Sequence, residues 1–148
     1  GSHLALLENR AQSGGVNVPM VAENTKSIYQ QTYLAMRNFE ICACHDLSEG
    51  GLAVSAAEMC VAGRLGLDLD LGEYAGDSAK FLFGETNGCF LIEVDARHAH
   101  AFERRFENLP LRRLGLVLEQ PALTIHNQAG LLLTLPVNDL LAAWQSAL

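Results

Sequence analysis

Side chains able to bind ligands are concentrated in one short stretch, residues 45–53, with the sequence His-Asp-Leu-Ser-Glu-Gly-Gly-Leu-Ala. A β-prone run, Ile41 to Cys44, precedes it, and an alanine-rich run with good helix propensity follows it. A strand that enters a helix through polar residues and glycines presents unpaired backbone N–H groups and a positive dipole end. We therefore predict an anion-binding turn, in which Gly50 and Gly51 let a ligand approach the backbone.

Other residues of this turn have more than one interpretation. Asp46 could coordinate a nucleotide hydroxyl or a metal, and Ser48 could cap the helix or contact a phosphate. His45 could be a general base or a structural histidine that closes the strand, because no orienting partner can be read from the sequence. The glycine pair matches neither of the common phosphate-loop patterns, so a plain strand–helix corner stays open as an alternative. No Ser-His-Asp set can be assembled, and the catalytic residue is left unknown.

A second candidate segment, residues 84–88, has the sequence Gly-Glu-Thr-Asn-Gly. Glu85, with Thr86 and Asn87, could supply oxygen ligands to magnesium or hydrogen bonds to a substrate, since magnesium needs only one or two carboxylates beside phosphate oxygens. A loop rich in turn-forming residues is an equal alternative. Asp68 and Asp70 lie in an alternating strand, where a solvated face is favoured over a metal site because no third ligand is nearby in sequence.

The pattern of elements predicts an α/β (α+β) layered fold, with one mixed sheet covered by helices. The predicted helix over residues 23–39 has an apolar face of Ile28, Ala35, Met36 and Phe39, and Gly63 is expected to end the helix after the turn. The remaining predicted elements are strands at 41–44, 65–71 and 89–94, a loop or short helix at 72–83, a helix at 98–106, a strand at 114–118, a hairpin at 122–135, and a closing helix at 137–147 whose Trp144 packs on the sheet.

Composition narrows the class of protein. The chain has 148 residues, a net charge of -7 and a pI near 5.1, which argues against nucleic-acid or anionic-membrane partners. No apolar run is long enough to span a membrane. We expect residues 1–18 to be a tag remnant and linker, residues 19–148 to be one domain, and the location to be cytoplasmic. The four cysteines lack zinc-site spacing and are predicted to be small buried thiols.

Three motifs carry a resemblance to a known family. The stretch from His45 to Ala53, followed by Ala-Glu-Met at 57–59, resembles the glycine-rich motif of phosphoribosylformylglycinamidine synthase, a member of the aminoimidazole ribonucleotide synthase superfamily. Phe-Gly-Glu-Thr at 83–86 resembles a second motif of that synthase, and Pro-Val-Asn-Asp-Leu at 136–140 with Trp144 resembles the end of its synthetase part. The resemblance covers the chain from about Val18 to its C-terminus.

The resemblance implies an ATP-dependent carbon–nitrogen ligase of purine biosynthesis. ATP would phosphorylate the formamide oxygen of formylglycinamide ribonucleotide, and glutamine-derived ammonia would displace phosphate to give the amidine. It further implies that Asp46 and Gly84 lie near ATP, that Gly50 and Gly51 form the turn facing the ligand, and that Glu85 lies near Mg²⁺. Ser48, Thr86 and Asn87 would lie near substrate.

The resemblance also implies partners that this sequence does not contain. They are the N-terminal ATP-binding half of the same chain, a glutaminase subunit or domain, and a small accessory subunit, so the fragment alone is expected to be inactive. Glu49 stands where the family often has aspartate, and Asn-Gly-Cys at 87–89 replaces the more typical serine and arginine. Two alternatives remain: another superfamily member, such as an aminoimidazole ribonucleotide synthase-like protein, or a non-catalytic binding or assembly module on the same fold.

Overall fold

The computed structural model describes residues 3–8, 22–72 and 77–146. The predicted boundary at residue 18 and most of the predicted tag remnant and linker lie outside these residues. In chain order the elements are α1 (His3–Leu7), α2 (Thr25–Arg37), β1 (Ile41–Asp46), α3 (Gly51–Gly63), β2 (Gly66–Asp70), α4 (Ser78–Phe83), β3 (Phe90–Val94), α5 (Ala99–Arg105), β4 (Gly115–Leu118), β5 (Ala122–Asn127), β6 (Gly130–Pro136) and α6 (Val137–Ser146). No helix among the described residues is long and apolar enough to cross a membrane.

The α+β class is confirmed, but the described strands form two sheets where we predicted one. Strands β1 and β3 form an antiparallel pair, and the other four form a mixed sheet in the order β4-β2-β5-β6. Within the larger sheet β2 and β5 are parallel, whereas β2–β4 and β5–β6 are antiparallel. The prediction of a single sheet was wrong because alternation identifies a strand and its buried face, but not the distant strand with which it pairs.

Helix α3 lies between the two sheets and organises the larger core. It contacts β1 and β3 of the small sheet and β2 and β5 of the large one, as well as α4 and α6. Its buried residues include Leu52, Ala56 and Cys60, which pack with Leu69 and Ile125 of the large sheet. A helix that is apolar around its circumference must be covered on several sides, which explains the double contact. Burial of each large aliphatic side chain contributes about 1.5–3 kcal/mol.

A second core cluster covers the other face of the small sheet. Ala35 of α2 is fully buried there, with Phe102 and Phe106 at the α5 end, whose ring centroids lie 4.7 Å apart. Ile92 and Val94 of β3 pack on this cluster, whereas the alternate residue Leu91 belongs to the α3 core. Successive β3 side chains therefore serve opposite cores, as strand geometry requires.

Several element boundaries and orientations differ from the predictions. Met36 and Phe39 do not join the apolar face of α2, because 44% and 86% of their surfaces are exposed. Phe39 has a left-handed φ of +56°, which takes the chain out of the helix direction beyond the cap residue. At the end of α3, Gly63 is the last helical residue, and Arg64 instead adopts the left-handed conformation.

The cysteines and Trp144 also depart from expectation. Cys60 is buried, but Cys42 and Cys89 are exposed, so the prediction of four buried thiols was wrong. The β1–β3 register shifts between Ile41 and Ala43, next to Cys42, which breaks the alternation assumed for this strand. Trp144 faces the large sheet but keeps 52% of its surface exposed, because it forms one wall of an open groove.

A bidentate ion pair joins α5 to the segment before β1. Arg105 donates to Glu40 from Nη2 to Oε1 at 2.5 Å and from Nε to Oε2 at 3.1 Å, and both side chains are largely buried. The hydrogen bond from Arg105 lowers the pKa of Glu40 from its ordinary value of 4.5. The paired, ionised carboxylate therefore stabilises the folded state.

We expect Glu40→Gln to lower the free energy of unfolding at neutral pH by about 1–3 kcal/mol, because Arg105 loses its charged acceptor. Since the folded-state pKa is depressed, this stabilisation is complete above the unfolded pKa and is lost as pH falls through the folded pKa. The difference between variant and parent should therefore shrink in acid, which urea titrations from neutral pH to below pH 4 would measure. A difference that stays constant with pH would contradict this account. The control is Glu103→Gln, an exposed change on α5, the helix that carries Arg105.

Candidate functional site

The candidate site lies where β1 ends, the chain turns through residues 47–50, and α3 begins. Strand β1 continues through His45 and Asp46, two residues beyond the predicted end, so both belong to the strand. The Leu47 N–H donates to the Cys89 carbonyl at 3.0 Å, which attaches the turn to the segment leading into β3. This bond extends the β1–β3 pairing by one step into the turn.

The two predicted segments are in direct contact. Gly51 has a φ of +63°, and a Cβ placed on it would lie 2.6 Å from the Gly84 carbonyl oxygen. Gly50 is also left-handed, with a φ of +76°, and a Cβ there would overlap the Val54 side chain. Both glycines are therefore required by the packing of the chain on itself. The structure thus brings the turn and the Gly84 loop together.

Glu85 occupies the N-terminus of α3. Its Oε1 accepts the Gly50 N–H at 3.1 Å and the His3 N–H at 2.9 Å. These bonds, with that from His3 the larger cause, lower the pKa of Glu85 from its ordinary value. His3 falls in the predicted tag remnant, whereas Gly50 belongs to the turn itself. The carboxylate of Glu85 thus occupies the N–H of the cap residue, at the helix end where we expected an external anion.

A second set of contacts anchors Asp46. Its carbonyl oxygen faces His45 Nδ1 at 2.7 Å and accepts the Ser55 hydroxyl at 3.0 Å, while its carboxylate is 67% exposed. His45 Nε2 lies 2.9 Å from Glu58 Oε2, so the histidine has the partner that the sequence did not reveal. This arrangement favours a histidine that holds the strand end. The backbone of Asp46 is fixed while its side chain points into solvent.

Ser55 and Glu58 were missed by sequence reasoning. They follow Gly51 by four and seven positions, a spacing that places all three on one face of α3. This helical spacing was the signal in the sequence that could have identified Ser55 and Glu58. Ser48 contributes differently from the proposed cap: its carbonyl accepts the Gly51 N–H at 3.2 Å, and its side chain does not cap α3.

Thr86 and Asn87 lie in an exposed loop between α4 and β3. Gly88, with a φ of +81°, ends this loop close to the Tyr29 hydroxyl of α2. Tyr29 in turn packs edge-on against Phe90, with ring centroids 5.6 Å apart. The loop is therefore supported by α2 and leaves its polar side chains accessible to a ligand.

Metal ligation receives limited structural support. Within residues 3–8, 22–72 and 77–146, no group of three or more His, Cys, Asp or Glu side chains could hold an ion. Asp68 and Asp70 do gain a neighbour from the parallel strand, since His126 Nε2 lies 3.0 Å from Asp68 Oδ1 and Nδ1 lies 3.7 Å from Asp70 Oδ1. The donor set around Glu85 fits magnesium only if phosphate and water oxygens complete the octahedron.

An apolar groove of about 540 Å³ runs along the outer face of α3. Its lining comes from α3, β5, β6, α6 and the end of α4, and comprises Ala53, Val54, Ala57, Glu58, Val61, Ala62, Phe83, Leu123, Ile125, Leu133, Leu135, Leu140 and Trp144. Glu58 is its one charged residue and is paired with His45. Cys44 near the site is a poor nucleophile, because burial, and then the charge of Asp46, raises the pKa of its thiol.

The fold and the turn define the class of protein. Residues 2–127 match the family described as "AIR synthase related protein, C-terminal domain", so this chain belongs to that family. Among individual proteins it is similar to two that carry the name phosphoribosylformylglycinamidine synthase subunit PurL. The Allorhizobium ampelinum protein is 41% identical over 85 residues, which are 56% of this chain and 11% of that one. The Synechocystis protein is 37% identical over 110 residues, or 72% and 14% of the two chains.

Solved structures show the same fold. A Thermotoga maritima PurL complexed with ATP has a TM-score of 0.72 at 18% identity, over 82% of this chain and 22% of that chain. The structure of PurLQS from Thermotoga maritima has a TM-score of 0.73 at 17% identity, covering 90% and 24%. The hydrogenase maturation protein HypE has a TM-score of 0.57 at 15% identity, covering 88% and 47%. This chain therefore spans a small part, 11–24%, of the PurL proteins named here.

The glycine contact yields a test of the site's architecture. We expect Gly51→Ala to lower the free energy of unfolding by about 2 kcal/mol or more, because alanine is strained at positive φ and its Cβ meets the Gly84 backbone. Gly63→Ala is the matched control on the same helix. There the nearest atoms are 4.0 Å from the new Cβ, so alanine should be neutral or stabilise by about 0.5–1 kcal/mol. Equal effects in thermal unfolding would contradict the proposed contact.

Proposed function

We propose that this chain is the C-terminal synthetase domain of a phosphoribosylformylglycinamidine synthase, a ligase of purine biosynthesis, with residues 19–148 forming the domain. The single observation that supports this most strongly is the backbone contact between Gly51 and Gly84, which unites the two motifs that resemble that enzyme. The similarity to proteins named PurL points to the same enzyme. The location proposed for it is cytoplasmic.

In this reaction the domain positions charged groups and forms no covalent bond with the substrate. The γ-phosphoryl group of ATP passes to the formamide oxygen of formylglycinamide ribonucleotide, ADP leaves, and ammonia then displaces inorganic phosphate to give the amidine. Asp46 and Gly84 are proposed to lie beside ATP, Gly50 and Gly51 to form the turn that faces it, and Ser48, Thr86 and Asn87 to face the ribonucleotide. The exposed Asp46 carboxylate and the exposed loop are geometrically suited to these roles.

Glu85 is the proposed magnesium ligand. When bound, the metal would neutralise phosphate charge during transfer. Both observed hydrogen bonds to Glu85 use Oε1, and the bond from the Gly50 N–H fixes the carboxylate at the start of α3. An ionised carboxylate fixed by a backbone N–H is a suitable hard oxygen ligand. The same bond couples the position of Glu85 to the conformation of the glycine turn.

The composite active site requires partners. We propose that the N-terminal ATP-binding half of the same polypeptide completes the site, and that a glutaminase subunit or domain, with a small accessory subunit, delivers ammonia. Structures of a PurLQS assembly, and of PurL complexed with FGAR or ATP, support this view by their similarity of fold. The isolated domain is then expected to show no turnover.

The test uses the full-length parent, assayed for ATP- and ammonia-dependent amidine formation. We expect Glu85→Gln and Asp46→Asn each to reduce kcat by about 10²–10³-fold, a typical loss when one preorganised charge-stabilising group is removed. Glu103→Gln, an exposed change on α5, is the control and should leave turnover unchanged. Activity from the 148-residue chain alone, or none from the intact parent, would overturn the proposal.

Two other functions would give different results in the same experiment. The similarity of fold to HypE keeps another superfamily enzyme as a second candidate, and parallel assays of the parent with each superfamily substrate separate the two. If both Glu85→Gln and Asp46→Asn leave turnover intact while subunit association fails, a non-catalytic assembly module is the correct interpretation.

A further inference from the structure

Strand β4 forms an unprotected edge of the four-stranded sheet. It pairs with β2 on one side, and among the described strands none pairs with its other side. All four of its residues are exposed, including 56% of Leu116 and 40% each of Val117 and Leu118. Edge strands are usually protected by charge, proline or a bulge, because their free N–H and C=O groups pair readily with another strand. Gly115–Leu118 contains no charged residue and no proline.

The register of β4 on β2 shows which backbone groups point outward. Leu116 lies opposite Asp68, and the Leu114 carbonyl accepts the Asp70 N–H at 2.6 Å. In an antiparallel ladder, residues that exchange hydrogen bonds with the partner alternate with residues that do not. The even-numbered residues of β4 therefore bond to β2. The N–H and C=O groups of Gly115 and Val117 point away from the sheet.

The flanking charges are self-complementary in one register. Two copies of β4 can pair antiparallel with Leu116 of one copy opposite Leu116 of the other. Gly115 of each copy then lies opposite Val117 of the other copy. In that register Arg113 of each copy faces Glu119 of the other. The facing pairs 115–117 and 113–119 are odd-numbered, so the register that pairs the charges is also one that pairs the outward backbone groups. In the described part of the monomer neither Arg113 nor Glu119 forms an ion pair.

We propose that two copies of this chain associate through their β4 strands, which joins the two four-stranded sheets into one eight-stranded sheet across a two-fold axis at Leu116. The interface is isologous, since each copy offers the same strand. Only a short strand and two reciprocal exposed ion pairs take part, so the association is weak and weakened further by salt. This inference is independent of the proposed enzymatic function.

Sedimentation equilibrium of the 148-residue protein tests the association. The weight-average mass should rise with concentration from the monomer mass of 16.0 kDa toward twice that value, and less so at high salt. Leu116→Lys places like charges at the two-fold axis and should weaken the dimer about tenfold or more. Its lysine can face Asp68 in the monomer, so folding is preserved. Leu131→Lys, at a 66% exposed position on the other edge strand, is the matched control and should leave the mass unchanged.

Charge reversal tests the register. Arg113→Glu and Glu119→Arg should each weaken the dimer, because each places like charges opposite one another at both ends of the interface. The double variant should restore association, since it exchanges the two charges without changing the register. Restoration supports this register and no other antiparallel one. Failure of the double variant to recover, with both single variants weakened, would overturn it.

Cross-linking tests the position of the two-fold axis. Opposite residues that do not exchange hydrogen bonds have Cα atoms about 4.5 Å apart, which is within disulfide range. With the exposed Cys42 and Cys89 replaced by serine, Leu116→Cys should form a covalent dimer on oxidation, and Leu131→Cys should not. A monomeric mass at every concentration would overturn the proposal. So would slow hydrogen exchange of the Gly115 and Val117 amides in the Leu116→Lys monomer, which would mean that another segment covers this edge.

Discussion

The close approach of Gly51 to Gly84 is the constraint on which the candidate site depends. A Cβ on Gly51 would lie 2.6 Å from the Gly84 carbonyl oxygen, and a Cβ on Gly84 would lie 2.5 Å from the Lys80 carbonyl oxygen of α4. This contact places the start of α3 against the end of α4, so that Glu85 reaches the Gly50 N–H. A side chain at Gly51 would separate the two segments and leave Glu85 without its anchor. The glycines of the turn are therefore explained by contacts within the chain before any ligand is considered.

The contact of Glu85 with the N-terminus of α3 limits how an anion can bind there. Glu85 already supplies negative charge to the helix end and to the Gly50 N–H. A phosphate group could reach the same N–H only by displacing this carboxylate, whereas a cation bound by Glu85 could bring phosphate oxygens close without breaking the bond. Under the proposed function, Glu85 would hold the metal ion while keeping its bond to the Gly50 N–H, and the helix dipole would favour the ionised carboxylate.

Helix α3 connects the core to the site. Its buried face packs between the two sheets, and Ser55 from that buried face fixes the Asp46 carbonyl. Glu58, at the edge of the groove, holds His45 at the end of β1. Core packing and site geometry thus share one helix. Changes on its apolar face are expected to move the strand end as well as to lower stability.

Sequence alone determined what local chemistry can determine. The alternation of apolar and polar residues predicted β2, two apolar runs around a turn predicted β5 and β6, and high helix propensity predicted α3. Each of these patterns depends only on neighbouring residues. The motifs Gly50-Gly51 and Gly84-Glu85 were likewise visible and were sufficient to indicate the family that the domain match then confirmed. The spacing of Ser55 and Glu58 was also present, but it carries meaning only once α3 is placed against β1.

Tertiary structure alone decided the relations between distant segments. The pairing of β1 with β3, and of β2 with both β4 and β5, divides the strands into two sheets where sequence indicated one. It also brings His126 beside Asp68, 58 positions earlier in the chain, and Glu85 to Gly50, 35 positions earlier. Such contacts depend on how whole elements pack, since the side-chain pattern of a strand identifies its buried face but not its partner. For that reason the sequence could indicate the components of the site, and only the folded chain could show that Glu85 accepts the N–H of Gly50, the cap residue of α3.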